Sequence, residues 1–169
     1  DVVGVLSQPP KRRGRGRKEK TSAVHACALE LGLPVATPMR LAGAEGDAIL
    51  DRFQPDACVV MAYGQIITQA HLDRCPKAWL NLHASLLPRW RGAAPIERCL
   101  EAGDQHTGVQ IMQMERGLDT GPVYAEAQLE TAGHDAGTLA EALGELAAQL
   151  TQDHVLAILR GARVAQKQD

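Results

Sequence analysis

Aromatic residues make up only 3% of this 169-residue chain: one Phe, two Tyr and two Trp. Any core must therefore be built mostly from Leu, Val, Ile and Ala. The four cysteines, Cys27, Cys58, Cys75 and Cys99, form no CxxC pair. That excludes the common zinc and thioredoxin-like patterns, and no other metal-ligand spacing is present. Unpaired cysteines fit a reducing cytoplasm. No apolar run approaches the ~20 residues of a membrane span, and no signal peptide is visible. There is no internal repeat and no long linker. The length suits one compact domain, 1–169, and the apolar fraction of 45% is ordinary for a globular one.

Charge is scarce overall but unevenly placed. Residues 11–20 (KRRGRGRKEK) hold seven of the 18 Lys and Arg residues and one of the 20 Asp and Glu residues. A chain of net charge −2 is thus +6 over that stretch and −8 elsewhere. Such asymmetry predicts local contact with a polyanion rather than a basic surface.

Along the chain, Val2–Leu6 reads as a buried strand. Gly14 and Gly16 predict a loop, not a helix, for the basic segment. Residues 22–31 read as a helix stopped by Gly32, and Pro34 to Ala36 as an edge strand. Ala48 to Phe53 reads as a second helix. The apolar run Ala57 to Ala62 predicts a central strand covered on both faces. Ala78 to His83 starts alike but ends in polar groups. A helix is expected over Ala94 to Ala102. Val109 to Met114 and Val123 to Leu129 alternate as a hairpin-like pair around a Gly117–Gly121 turn. Thr138 and Glu141 read as the capping box of a last helix, ended by Gly161. Strands alternating with helices predict an α/β fold with helices on both faces of the sheet.

Asn81 and His83 then point to one side at the C-terminal end of a buried strand, where α/β sheets place ligands. A Pro-punctuated loop follows, Ala84 to Pro95. Asp119 sits between Gly117 and Gly121, and glycines permit close approach of backbone to a ligand. Taken alone, the same residues also fit a capping Asn, a solvent His and an Asx turn. The other histidines, His25, His71, His106, His134 and His154, are scattered and read as surface or turn residues.

Asn81-x-His83-x-Ser85-Leu86-Leu87-Pro88, then Arg89-Trp90-Arg91-Gly92, then Gly117-Leu118-Asp119-Thr120-Gly121, resembles the folate-dependent formyltransferases. Ala62-Tyr63-Gly64-Gln65-Ile66-Ile67 and the loop from Gln8 to Lys18 match as well, so the resemblance covers essentially the whole chain. The Trp-Arg-Gly-Ala-Ala-Pro continuation favours the methionyl-tRNA branch over the glycinamide-ribonucleotide one. The resemblance implies a Rossmann-like, mostly parallel sheet. It implies formyl transfer from 10-formyltetrahydrofolate to the amino group of initiator methionyl-tRNA, by a monomeric cytoplasmic enzyme without a metal. Asn81, His83 and Asp119 become the catalytic residues. Tyr63, Gly64, Gln65, Ile66, Ser85, Leu86, Leu87, Pro88, Gly117 and Leu118 become the folate site. Arg12, Arg13, Arg15, Arg17 and Lys18 become the tRNA contact; read without the resemblance, that run is also a solvated, mobile segment.

The family carries a strand and helix before the position of Asp1 and a β-barrel domain after the catalytic one. Val2–Leu6 is accordingly expected to lack a strand neighbour, with backbone groups unpaired, leaving the segment poorly stable or bound to a partner. Two other readings remain: a 10-formyltetrahydrofolate hydrolase or sugar-nucleotide amine formyltransferase, and a non-catalytic RNA- or folate-binding fragment. The basic loop speaks against the other folate enzymes, which need no polyanion-binding arm.

Overall fold

A computed structural model of the chain describes residues 1–13 and 18–169. They divide into two compact units, Asp1–Asp56 with Tyr63–Cys75, and Ala57–Ala62 with Pro76–Asp169.

In the first unit, β1 (Val5–Leu6) pairs in parallel with β4 (Val35–Ala36). The strand is shorter than Val2–Leu6, because Val2 and Val3 are exposed. The basic segment supplies β2 (Lys11–Arg13) and β3 (Lys18–Lys20), an antiparallel ribbon with Arg12 opposite Glu19. The sequence predicted a loop there. The glycines that suggested one, Gly14 and Gly16, lie outside both strands. Arg15 and Arg17 lie outside the described residues, and β3 begins at Lys18.

α1 (Ala23–Glu30) packs on β1 and β4, capped by Ser22, which accepts from the His25 N–H at 3.0 Å. Gly32, at φ +68°, ends it as expected. α2 (Ala44–Phe53) begins one turn before the expected Ala48. Gly43, at φ +118°, turns the chain there, and Glu45 and Asp47 sit in the first turn, where the helix dipole favours anions. A single helical turn, α3 (Gln69–Leu72), buries His71.

The second unit is a four-stranded sheet in the order β5-β6-β7-β8: β5 (Ala57–Val60), β6 (Ala78–His83), β7 (His106–Gln113) and β8 (Val123–Glu130). β5 and β6 are parallel, while β6–β7 and β7–β8 are antiparallel. The parallel component of the α/β fold therefore lies in β1–β4 and β5–β6. The link from β7 to β8, residues 114–122, is too short for the crossover a parallel pair needs. That makes the predicted hairpin-like pair. β5 is the edge of this sheet, and Val59 is 45% exposed. The sequence placed it centrally; an apolar run reports burial but does not name the neighbouring strand.

α4 (Pro95–Glu101) packs against α5 (Ala136–Leu159), and α5 covers one sheet face. α5 starts earlier than the Thr138–Glu141 box implied. Asp135 is the cap, accepting from the Thr138 N–H at 2.9 Å, and Thr138 returns the contact to the Asp135 N–H at 3.0 Å. Asp135 competes better for the cap because its carboxylate also meets the positive end of the dipole. Leu139, Leu143, Ala147 and Leu150 line one helix face at i, i+4, i+8 and i+11. They meet Ala78, Leu80 and Leu82 of β6, Val109 and Ile111 of β7, and Ala125 of β8 in one core. By strand alternation, Asn81 and His83 lie on the opposite face of β6. The core face is thus what orients the polar pair.

Leu143 is fully buried in this core. Leu143→Ala is expected to lower unfolding free energy by about 2–5 kcal/mol, read from urea denaturation.

Candidate active site

β6 delivers Asn81 and His83 two residues apart, in register with Met112 and Gln110 of β7. The β7–β8 connection delivers Asp119. Its carboxylate gathers three donors. Oδ1 accepts from Asn81 Nδ2 at 3.4 Å. Oδ2 lies 3.2 Å from His83 Nε2 and accepts from the Gly92 backbone N–H at 2.8 Å. The His83 and Asp119 side chains are only 6% and 15% exposed, so solvent screens their attraction weakly. All three predicted catalytic residues converge on one point.

Hydrogen counting fixes the His83 ring. The Ser85 hydroxyl donates to the Arg89 C=O at 2.7 Å, leaving a lone pair for His83 Nδ1 at 3.0 Å. Nδ1 therefore carries hydrogen. Nε2 then faces Asp119 Oδ2. Burial pushes the Asp119 carboxyl up. The His83 hydrogen bond, the Gly92 amide, the His83 charge and the Asn81 amide outweigh it, and the carboxyl ends below its ordinary value of 3.8.

The backbone at Asp119 is unusual, with φ at +50° in a non-Gly residue. The flanking glycines leave room for the turn's own atoms. A Cβ at Gly117 would lie 2.1 Å from Thr120 Oγ1, and one at Gly121 would lie 1.9 Å from the Gln113 C=O. They let the turn close on its own chain.

The loop after β6 is held from within. Arg89 forms a two-pronged pair with Asp104 at 2.7 and 2.8 Å and stacks over Trp90, while Trp90 Nε1 donates to the same carboxylate at 2.7 Å. These donors bring the Asp104 carboxyl down to about 2. Leu87 is buried, and its N–H donates to Gln110 Oε1 at 2.9 Å; the Leu87–Pro88 peptide is cis. Leu86 packs toward Gly108, where a Cβ would meet it at 2.8 Å. Leu118, beside Asp119, is 71% exposed, and Pro88 is exposed.

The remaining folate candidates belong to the first unit. Gln65 is committed there: it accepts from the Leu41 N–H at 2.6 Å and donates to the Pro38 C=O at 2.9 Å. The Tyr63 C=O accepts from Gln8 Nε2 at 2.7 Å. Its buried hydroxyl has no partner among the described residues, and burial, with Glu45 nearby, pushes it up to about 12. Gly64 is at φ +72°, and Ile66 is 80% exposed.

The sequence reading missed the Gly92 amide and the clamp on Asp104, and gave Ser85 no role toward His83. Ser85 lies two residues from His83, so continued alternation was a usable signal. Gly92 is 27 residues from Asp119 and on a different loop, and no spacing rule joins them. Among the described residues no three His, Cys, Asp or Glu side chains gather as a metal site, and no helix is long and apolar enough to cross a membrane.

Residues 1–155 match the formyl transferase family model. Methionyl-tRNA formyltransferase of Paracoccus denitrificans is 53% identical over 150 residues, covering 88% of this chain and 50% of that protein. The chain spans about half the length of the curated relatives it matches. Among solved structures, phosphoribosylglycinamide formyltransferase from Anaplasma phagocytophilum superposes with a TM-score of 0.78 at 18% identity, over 95% of this chain and 76% of that one. The formyltransferase PseJ from Anoxybacillus kamchatkensis, in complex with UDP-4,6-dideoxy-4-formamido-L-AltNAc and tetrahydrofolate, gives 0.69 at 23% identity, over 98% and 82%. The Rossmann-like α/β fold is thus the formyltransferase fold. The chain belongs to the formyl transferase family.

Because the folded-state value of Asp119 is depressed, its charge stabilises the fold above the ordinary carboxylate value, and that contribution fades as pH falls through the lower folded value. The urea midpoints of wild type and Asp119→Asn are expected to differ at neutral pH and to converge below about pH 4. A gap independent of pH would mean that the charge is not what holds the cluster.

Proposed function

We propose that this chain carries the active site of a cytoplasmic, monomeric enzyme that transfers a formyl group from 10-formyltetrahydrofolate to the amino group of initiator methionyl-tRNA. The observation that carries the reading is the single Asp119 carboxylate joined to both Asn81 Nδ2 and His83 Nε2. The names of the similar curated proteins support the acceptor, and the tetrahydrofolate held by one structural neighbour supports the donor.

The donor fits what the residues offer. Exposed Leu118, with Pro88 on the loop after β6, offers apolar surface suited to a flat ring, and Gly117, Ser85, Leu86 and Leu87 frame the cluster. Tyr63, Gly64, Gln65 and Ile66 complete the proposed folate set. Bound 10-formyltetrahydrofolate supplies the formyl carbon on its N10 atom.

Asn81 and His83 hold N–H groups where negative charge grows on the formyl oxygen as the amine attacks. One such donor typically contributes about 2.7–4 kcal/mol to the barrier. Asp119, anionic at neutral pH, accepts the proton that the attacking amine loses and returns it toward N10, directly or through water. Ser85 holds the Nδ1 side of the His83 ring and so fixes the ring with Nε2 toward Asp119. The fixed cluster also holds amine and carbonyl in reach of one another.

The β2–β3 ribbon is the proposed tRNA contact. Lys11 and Lys20 are exposed on it, and Arg12, Arg13, Arg15, Arg17 and Lys18 give the charge density that phosphate binding needs. The two arginines after β6 are already paired within the chain, Arg89 with Asp104 and Arg91 with Gln168.

In the full-length enzyme, Asn81→Ala and His83→Ala are each expected to lower kcat for formyl transfer to Met-tRNA by about 10²–10³. Transfer that survives His83→Ala unchanged would refute the assignment. Neutralising Arg12, Arg13 and Arg15 together is expected to raise KM for tRNA. The same change is expected to flatten the salt dependence, by up to roughly one log unit for each phosphate no longer neutralised. An unaltered slope would remove the ribbon from the tRNA interface.

A further inference from the structure

The segment after α5 turns back onto the sheet, lying beyond residue 155, where the family match ends. The backbones of Gln166 and Val123 exchange hydrogen bonds at 2.7 and 2.8 Å, seating the segment at the start of β8. Two residues on, the Gln168 side chain reaches the candidate site. Its Oε1 accepts from Arg91 Nε and Nη2 at 2.9 and 2.6 Å. Its Nε2 donates to the Asp119 and Gly121 carbonyls at 2.9 and 2.7 Å.

We propose that Gln168 is a positioning residue for catalysis, holding the Asp119 turn and the Arg91–Gly92 loop in the one arrangement that aims the Asp119 carboxylate at His83. This deepens, and rests on, the formyl-transfer reading of the site.

The chemistry of the partners admits one orientation of the amide. Guanidinium groups only donate and peptide carbonyls only accept, so a flipped amide would face like against like on both sides. Both hydrogens and both acceptor positions are used. The grip falls where restraint is needed. Asp119 sits at φ +50°, a left-handed conformation uncommon outside glycine, so its turn gains from restraint. Gln168 holds the carbonyl of that residue and, two residues later, that of Gly121. On the other side it holds the side chain preceding Gly92, whose N–H fixes Asp119 Oδ2 at 2.8 Å. One amide therefore spans the two loops whose contact sets the direction of the carboxylate.

A tether that only added stability would leave the carboxylate where it is. Gln168→Glu separates the two cases in the full-length enzyme. It keeps the length and the acceptor for Arg91, but sets a carboxylate oxygen against two carbonyls. Gln168→Ala tests the same loss without added charge. Both variants are expected to lose roughly tenfold to a hundredfold in kcat for formyl transfer, with the KM for the formyl donor within about twofold of wild type. The Gly92 amide proton is expected to shift upfield and to exchange faster with solvent. A Gly92 amide and a kcat that hold in both variants, with only Tm lowered, would overturn the proposal. If the wild-type enzyme transfers no formyl group while the Gly92 amide still responds, the activity assignment falls and the positioning role stands.

Discussion

One carboxylate organises this site. Asp119 is drawn by an amide and an imidazole from one strand, β6, and by a backbone amide from the loop that follows it. Removing it from water is unfavourable, and what makes burial tolerable is that every contact it makes is a donor. The rest of the local structure can be read as what is required to bring those donors together. The sheet must present Asn81 and His83 on one face, so the core must claim the other. The loop after β6 must return Gly92, so it is clamped on Asp104 through Arg89 and Trp90.

The elements with strong periodicity were readable from the residues. The stripe from Leu139 to Leu150, the alternation of β7 and β8, and the polar ending of β6 all follow from burial on one face. Boundaries set by backbone conformation were less visible, as at Gly43 before α2 and Asp135 before α5. Pairing was the least visible: β5 has the composition of a central strand, yet lies at the edge of its sheet. Strand neighbours are chosen by connections and by partners far away in sequence, and neither leaves a mark on the strand itself.

For the site, the residues proposed to carry chemistry were legible and those that contact or brace them were not. Asn81, His83 and Asp119 stood out through their placement and through the resemblance of the surrounding pattern. The basic run was visible as charge, but its partial folding into a ribbon was not. Gln110, Gly92 and Gln168 act through backbone groups or through a single amide on residues distant in sequence. Nothing in their own composition marks them. The glycines flanking Asp119 also have a structural use that the sequence did not show: the space they leave is filled by Thr120 and by the Gln113 carbonyl.

The Gly92 amide on Asp119 bears on how such proteins diversify. On the proposed reading, that hydrogen bond sets the orientation of the carboxylate from within the chain itself, so little reorganisation remains when charge shifts. On that reading, a cluster completed in this way does not distinguish one primary amine from another. Discrimination among acceptors then falls to surfaces away from the cluster, which can be exchanged without retuning the reactive centre. Chemistry and choice of substrate become separable parts of one chain.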